Sequence, residues 1–314
     1  MQAPSIKVSA SKSNQNSVVH KSVLLQQSIL GLDIKAGDVF VDATLGGGGH
    51  SEAVCEVAHG NVTIIGVDAD QKAVQRSQMR LKKQDCKILF KQSNFRNLDV
   101  VLAELGFTQV DKILFDLGLS SQEIQESGRG FTFQKNEPLL MTFNAEPKEE
   151  DLTAREIVNT WDEENIETII KSYGEEKYAR RIARMIVESR AEKPIETTFD
   201  LVEIIKMATP SSYHRMKIHP ATRTFQALRM TVNDEVRTLT EGLEKSFASL
   251  RVGGRIAVIS FHSIEDRVVK HYFKKLAVDG KLILINKKPI TPTDEEIAEN
   301  PRSRSAKLRI IEKI

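Results

Sequence analysis

Cysteine is almost missing: Cys55 and Cys86 are the only two in 314 residues. Two thiols are too few for a disulfide framework or a cysteine-based zinc site, so a reducing cytosol is the expected setting. There is also no surplus of one charge. Lys and Arg number 45 against 43 Asp and Glu, a formal +2. That argues against a protein that holds nucleic acid by bulk charge, but leaves room for a local basic surface. No apolar run approaches the ~20 residues of a membrane span, so no membrane partner is expected. Residues 1–19 lack the apolar stretch of a secretory signal. They lack acids, as transit peptides do, but also Arg, and they read as a disordered tail. With 40% hydrophobic and 28% charged residues, wholesale disorder and collagen are excluded. The length suits two domains, or one domain carrying a large insertion.

What is present alternates strand and helix. Apolar runs at Val39–Ala43, Val62–Val67, Lys87–Phe90 and Lys112–Phe115 predict buried strands. Helices are predicted from about Ser51, over 70–83, and from Leu98 to Leu105. Such a rhythm points to an α/β fold with a parallel, doubly wound sheet. It stops between about 126 and 217, where helical patterns replace it at Glu156–Trp161, Ile166–Tyr173, Tyr178–Arg190 and Leu201–Ala208. A further helix is expected from His219 through Val236. The βα rhythm returns with a Gly253-Gly254 turn, a strand at Arg255–Ser260 and a helix at Ile264–Leu276. Strand runs at Lys281–Ile285 and Lys307–Ile311 complete it. The division expected is one α/β domain, 20–125 with 218–314, split by a helical insertion at 126–217.

The stretch Asp42-Ala43-Thr44-Leu45-Gly46-Gly47-Gly48-Gly49-His50 lies where a strand hands over to a helix. Consecutive glycines let backbone approach a ligand closely, and a helix start offers N–H donors. Asp68 ends the next strand, 22 residues after Gly46, a spacing that suits a carboxylate accepting from two ribose hydroxyls. The dinucleotide fingerprint is incomplete, and no phosphate-loop Gly-Lys-Ser/Thr follows. A glycine bend without a diphosphate clamp fits S-adenosylmethionine better than NAD or ATP, with Asp42 near the cationic end. The plainer alternative is a tight turn. Asp116-Leu117-Gly118-Leu119-Ser120-Ser121 ends the fourth strand, where an open parallel sheet exposes its ligand crevice to an acceptor. Phe131 and Phe133 follow, either to stack on a base or to pack a core.

These strings resemble one family. His20-Lys21-Ser22-Val23-Leu24-Leu25, the glycine loop, Asp116–Ser121, Arg129-Gly130-Phe131-Thr132-Phe133, Tyr173-Gly174-Glu175-Glu176, His219–Arg229, Ser260-Phe261-His262-Ser263-Ile264-Glu265-Asp266-Arg267 and Asn300–Ser305 are together similar to the bacterial 16S ribosomal RNA cytosine-N4 methyltransferases of the MraW type. The resemblance runs in order over residues 20 to 313. It implies a Rossmann-like class I methyltransferase sheet with an inserted helical substrate-recognition domain. It implies S-adenosyl-L-methionine as cofactor, a decoding-centre cytosine of 16S rRNA in the small ribosomal subunit as acceptor, and a cytoplasmic location. Carried over by position, the cofactor contacts are Gly48, Gly49, His50, Asp68, Phe95 beside the adenine, and Asp116. The family's Ser-Ser-Pro-Gln reads Ser120-Ser121-Gln122-Glu123 here, so its cofactor-contacting Gln falls on Glu123. Its Pro-Leu-Asp-Met-Arg-Met reads Pro138-Leu139-Leu140-Met141-Thr142-Phe143, without the Asp and the Arg.

Asp116, or a backbone carbonyl of its loop, is the candidate catalytic acceptor of the amine proton. Lys177, Arg180, Arg181 and Arg184 form a stripe that tracks RNA phosphates or is merely solvated. Arg223 and Arg229 are further phosphate candidates. Arg302, Arg304, Lys307 and Arg309 make a basic carboxyl-terminal patch with only Glu312 nearby. His262 either contacts the base or caps a helix. His214 and His219 lack a third ligand, and no metal site is expected. A small-molecule methyltransferase and a non-catalytic ribosome-assembly factor are the competing functions. A homodimer stays open.

Overall fold

The computed structural model describes residues 21–118, 127–144, 147–148 and 150–314; the tail at 1–19 and Glu123 lie outside the described residues. After α1 (Leu25–Leu32) the chain alternates β1 (Val39–Asp42), α2 (Gly49–Val57), β2 (Thr63–Asp68), α3 (Gln71–Leu81), β3 (Lys87–Gln92), α4 (Leu98–Glu104) and β4 (Val110–Asp116). A helical stretch follows: α5 (Ala154–Thr160), α6 (Glu163–Gly174), α7 (Ala179–Glu192), α8 (Thr198–Ala208), α9 (Ser211–His214) and α10 (Thr222–Val232). Then come α11 (Glu235–Ser249), β5 (Leu250–Ser260), α12 (Ser263–Val278), β6 (Leu282–Leu284), α13 (Asp294–Glu299) and β7 (Lys307–Lys313).

The seven strands form one sheet in the order β3-β2-β1-β4-β5-β7-β6. The first five are parallel, as the apolar runs predict, although β3, at the edge of the sheet, has no fully buried residue. At the far edge β7 runs antiparallel to both β5 and β6, so the sheet is mixed. Successive strand residues feed opposite faces. Val41, Ile65, Ile113 and Val258 enter one core, and their neighbours Phe40, Ile64, Leu114 and Ala257 enter the other. Two-sided burial is why these strands read as continuous apolar runs rather than alternating ones. The helical stretch has a core of its own, built from Leu139 to Leu228. Because Ala221, Phe225, Ala227 and Leu228 belong to it, that core reaches past residue 217 into α10.

Three local differences from the sequence reading have physical causes. The single helix expected to Val236 breaks at Asn233 and Asp234. There Asn233 Nδ2 donates to the carbonyls of Arg229 (2.8 Å) and Met141 (2.7 Å), and its Oδ1 accepts from Phe143 N–H (2.8 Å). Strand β5 begins at Leu250, before the glycine turn, because pairing with β4 jumps from Val110–Leu250 to Lys112–Arg255 and loops out the residues between. Finally, Cys55 on α2 and Cys86 just before β3 pair as a disulfide. Both are buried, so chain folding alone brings them together. The low cysteine count therefore carries no argument about redox compartment. Among the described residues, no helix is long and apolar enough to cross a membrane.

Candidate active site

Strands β2, β1 and β4 are neighbours, and each ends in an aspartate: Asp68, Asp42 and Asp116. Adjacent strands lie roughly 4.8 Å apart, so three carboxylates share one rim. The strand order reverses between β1 and β4, which makes this rim the crevice of the sheet.

The glycine bend sits on this rim and is braced from beneath. Asp68 Oδ2 accepts from Gly46 N–H (2.8 Å) and its Oδ1 from Asp70 N–H (2.9 Å). Ser77 Oγ donates to Gly46 O (2.9 Å), and Arg80 reaches Gly47 O (3.2 Å) while paired with Glu52 (2.6 Å). Gly48 has φ +73°, a left-handed conformation that resists a side chain, and Ser77 would crowd any Cβ there. A Cβ on Gly49 would run into Ser22 Oγ. Helix α2 then starts without a side-chain cap, leaving its first turn suited to an anion.

Two of the rim acids each carry a sealed oxygen with no cation against it. Asp42 Oδ2 accepts from Ser51 Oγ (2.7 Å), but its Oδ1 is sealed from solvent with no partner. Burial raises its pKa to about 6 against the Ser51 and Thr44 hydrogen bonds. Asp116 is 21% exposed as a side chain, yet its Oδ1 is also sealed and unpartnered. Burial, with the charges of Asp42 and Glu265, raises its pKa to about 8. Its backbone N–H donates to Thr44 Oγ1 (2.6 Å). Oδ2 lies 3.7 Å from His50 Nδ1, and the other nitrogen of that ring is 3.2 Å from Val23 O.

The remaining predicted residues divide. Phe95 lies just beyond β3, edge-on to Phe115 (centroids 5.4 Å apart) and against Gly242 of α11. His262 is the N-cap of α12. Its side chain accepts from Glu265 N–H (3.4 Å), and Glu265 Oε2 accepts from Phe261 N–H (2.8 Å). Glu235, His262 and Glu265 cluster closely enough to suggest a cation site. However, Arg229 already forks onto both oxygens of Glu235 (2.7 and 2.9 Å). Arg229 is thus committed internally rather than held out for phosphate. The carboxyl-terminal patch shrinks for the same reason. Asp266 pairs with Lys307 (3.1 Å) and Arg309 (2.7 Å), leaving Arg302 and Arg304 exposed.

In the helical unit Phe131 stacks on Phe143 and Phe133 on His219, and both rings pack against the helical core. They also line a cavity of about 180 Å³ with Met141, Thr222, Gln226 and Arg229. Lys177 lies before α7 rather than on it, its ammonium 4.8 Å from the Tyr178 ring centroid and 5.0 Å from that of Tyr213. Arg180 and Arg181 are exposed, with no carboxylate at ion-pairing distance among the described residues. Motif reading missed one junction. Glu175, in a left-handed conformation at the end of α6, hydrogen-bonds Ser263 Oγ (2.5 Å) and pairs with Arg267 of α12. Only the Tyr173–Glu176 string marked it, without saying what it touches.

A family model, the MraW methylase family, matches residues 17–314. The chain belongs to this family. It is 46% identical over 310 residues to a protein of Clostridium botulinum (strain Kyoto / Type A2) named ribosomal RNA small subunit methyltransferase H, covering 94% of this chain and 99% of that one. It is 47% identical over 294 residues to a protein of the same name from Sulfurihydrogenibium sp. (strain YO3AOP1), covering 94% and 97%. The family's methyl chemistry thus falls on a chain whose sheet rim carries two cation-seeking acids beside a braced glycine bend.

Proposed function

We propose that this chain transfers the methyl group of S-adenosylmethionine to the N4 amine of a decoding-centre cytosine in 16S rRNA of the small ribosomal subunit, in the cytoplasm. One observation carries the donor half: the orphaned, buried Oδ1 atoms of Asp42 and Asp116 at the rim where the glycine bend opens. Unpaired buried carboxylate is costly. A ligand with a sulfonium and an ammonium relieves that cost, whereas a phosphate would add to it. Asp68, an acceptor-only carboxylate at the end of β2, takes the ribose hydroxyls. The uncapped start of α2 at Gly49 takes the methionine carboxylate. Phe95 borders the adenine. The bound donor supplies an electrophilic methyl carbon.

The acceptor half rests on the relatives' names and on the helical unit. Cytosine's exocyclic amine is conjugated and weakly nucleophilic, so this chain's main contribution is alignment of amine, carbon and sulfur, worth up to ~7–11 kcal/mol in ideal systems. Asp116, at the end of β4 on this rim, is the group we assign to relieve the amine of its proton. The slot at Phe131 and Phe133 offers apolar walls, with Gln226 as a polar edge for an unstacked pyrimidine. Lys177, Arg180 and Arg181 hold the RNA backbone. The insertion at 126–217, extended into α10, serves as the substrate-recognition part.

The test is incubation of undermethylated small subunits with methyl-labelled donor, followed by nucleoside analysis of the 16S rRNA. Label in N4-methylated cytidine is expected. Label on a free small molecule, or none in RNA, would overturn the reading.

A further inference from the structure

His50 has a place in the glycine loop, yet its ring is turned into the protein. The side chain is only 5% exposed, wedged between Val23 O at 3.2 Å and Asp116 Oδ2 at 3.7 Å. A carbonyl can only accept, so the Val23 contact requires the proton on Nε2 and leaves the Nδ1 lone pair toward Asp116. Val23 in turn is fixed from outside the loop: the next residue's N–H donates to Glu296 Oε1 of α13 (2.7 Å), and Lys21 pairs with Glu299. The strap at 21–24 therefore sets the tautomer of a buried imidazole.

We propose that His50 is a positioning residue that acts through Asp116, taking over the proton that Asp116 receives from the acceptor amine. The proposal rests on the reading of Asp116 as the amine's proton acceptor. As the amine lone pair forms the N–C bond, the C–S bond breaks and its electron pair goes to sulfur. With the donor's positive charge beside it Asp116 is ionised, so the N–H proton passes to its carboxylate and from Oδ2 to His50 Nδ1. One positive charge leaves sulfur and one appears on the imidazolium, whose Nε2–H remains on Val23 O. Charge is conserved within the rim, and Asp116 returns to its ionised form. The groups facing Asp116 are Asp42 from β1, Glu265 from α12 and His50 from α2. Among the described residues His50 is its sole ion-pairing neighbour. With acids on two sides, a proton left on Asp116 is stabilised there, and a relay is what would clear it.

The experiment uses the full chain, S-adenosylmethionine and undermethylated small subunits. His50→Asn and His50→Gln are compared with wild type for donor affinity by calorimetry and for single-turnover methyl transfer from pH 6 to 9. The expected result is donor affinity within about threefold of wild type, transfer slowed by about 10²-fold, the usual scale for losing a proton-transfer partner, and a changed pH profile. Loss of transfer matched by loss of donor binding, or an unchanged profile, would reduce His50 to loop packing and overturn the proposal. Selective ¹⁵N-histidine NMR of the wild-type donor complex gives a check that needs no variant. It should show His50 protonated at Nε2, and protonation at Nδ1 in the resting complex would refute the relay. Failure of the wild type to label RNA would instead strike the proposed function, so the two failures are distinguishable.

Discussion

The rim of the sheet and the helical unit handle charge in opposite ways. At the rim, buried Asp42 and part-buried Asp116 each have a sealed oxygen and no lysine or arginine paired to them among the described residues. On the helical unit, Arg180 and Arg181 are exposed bases with no acid paired to them there. A formal charge of only +2 hides both. Unpaired buried charge strains a fold, while unpaired surface charge costs almost nothing and is screened by salt. In the proposed function the rim takes one small cation near these acids, and the helical face meets a polyanion instead.

The sharpest way to break the comparison is at Asp116. Asp116→Asn should reduce methyl transfer by at least about 10²-fold. It should also stabilise the protein in alkali. With its folded pKa raised to about 8, wild-type Asp116 binds a proton that the unfolded chain has already lost, so its stability falls as pH rises from about 4 toward 8. The Asn variant has no such cost. Its melting temperature should exceed that of wild type by a few degrees at pH 9 and match it at pH 4. An equal difference at both pH values would mean that Asp116 is not a strained acid.

Much of the rim was legible in the sequence, because its parts lie at strand ends. Asp42, Asp68 and Asp116 each close an apolar run, and the glycines follow the first. Helix α11 was not legible. It buries Thr238, Gly242 and Ser246 beside Leu239 and Leu243, so its inward face has small and polar positions that blur the apolar period. The commitments of charged groups were also hidden. Nothing local in the sequence says that Arg229 belongs to Glu235 across a helix break, or that Asp266 neutralises Lys307 and Arg309. Those pairings depend on the fold, as does the strap that turns His50 inward. Family strings marked these positions without separating side chains that face a ligand from those that face each other.

The helical side of the comparison is tested by reversing its charge. The triple variant Lys177→Glu, Arg180→Glu, Arg181→Glu should raise the apparent KM for small subunits by about tenfold or more at physiological salt. It should flatten the salt dependence by roughly one unit of slope for each phosphate that is no longer neutralised. Donor affinity should not change, since the rim is untouched. A small-molecule methyltransferase would show no change in KM at all, and that result would remove the basic face from the mechanism.

The smallest effect is expected where the two regions meet. Glu175 joins the end of α6 to Ser263 and Arg267 at the start of α12, and these hydrogen bonds hold its pKa below the usual carboxylate value. Both ends of the ion pair are about half exposed (42% and 52%), so the pairing is worth at most about 1 kcal/mol. Because the folded pKa is depressed, that contribution is present above the unfolded value of about 4.5 and disappears as pH falls through the folded one. Glu175→Gln should therefore lower the melting temperature by about 1–2 °C at pH 7, by less in 0.5 M salt, and by progressively less as the pH falls below 4.5. If the junction sets how the basic face is presented to the rim, the same variant should raise KM for small subunits two- to threefold while leaving single-turnover transfer intact. A fall in the transfer rate instead would mean that Glu175 steadies the α12 end of the rim through Ser263, and that the two regions are less separable than their opposite charges suggest.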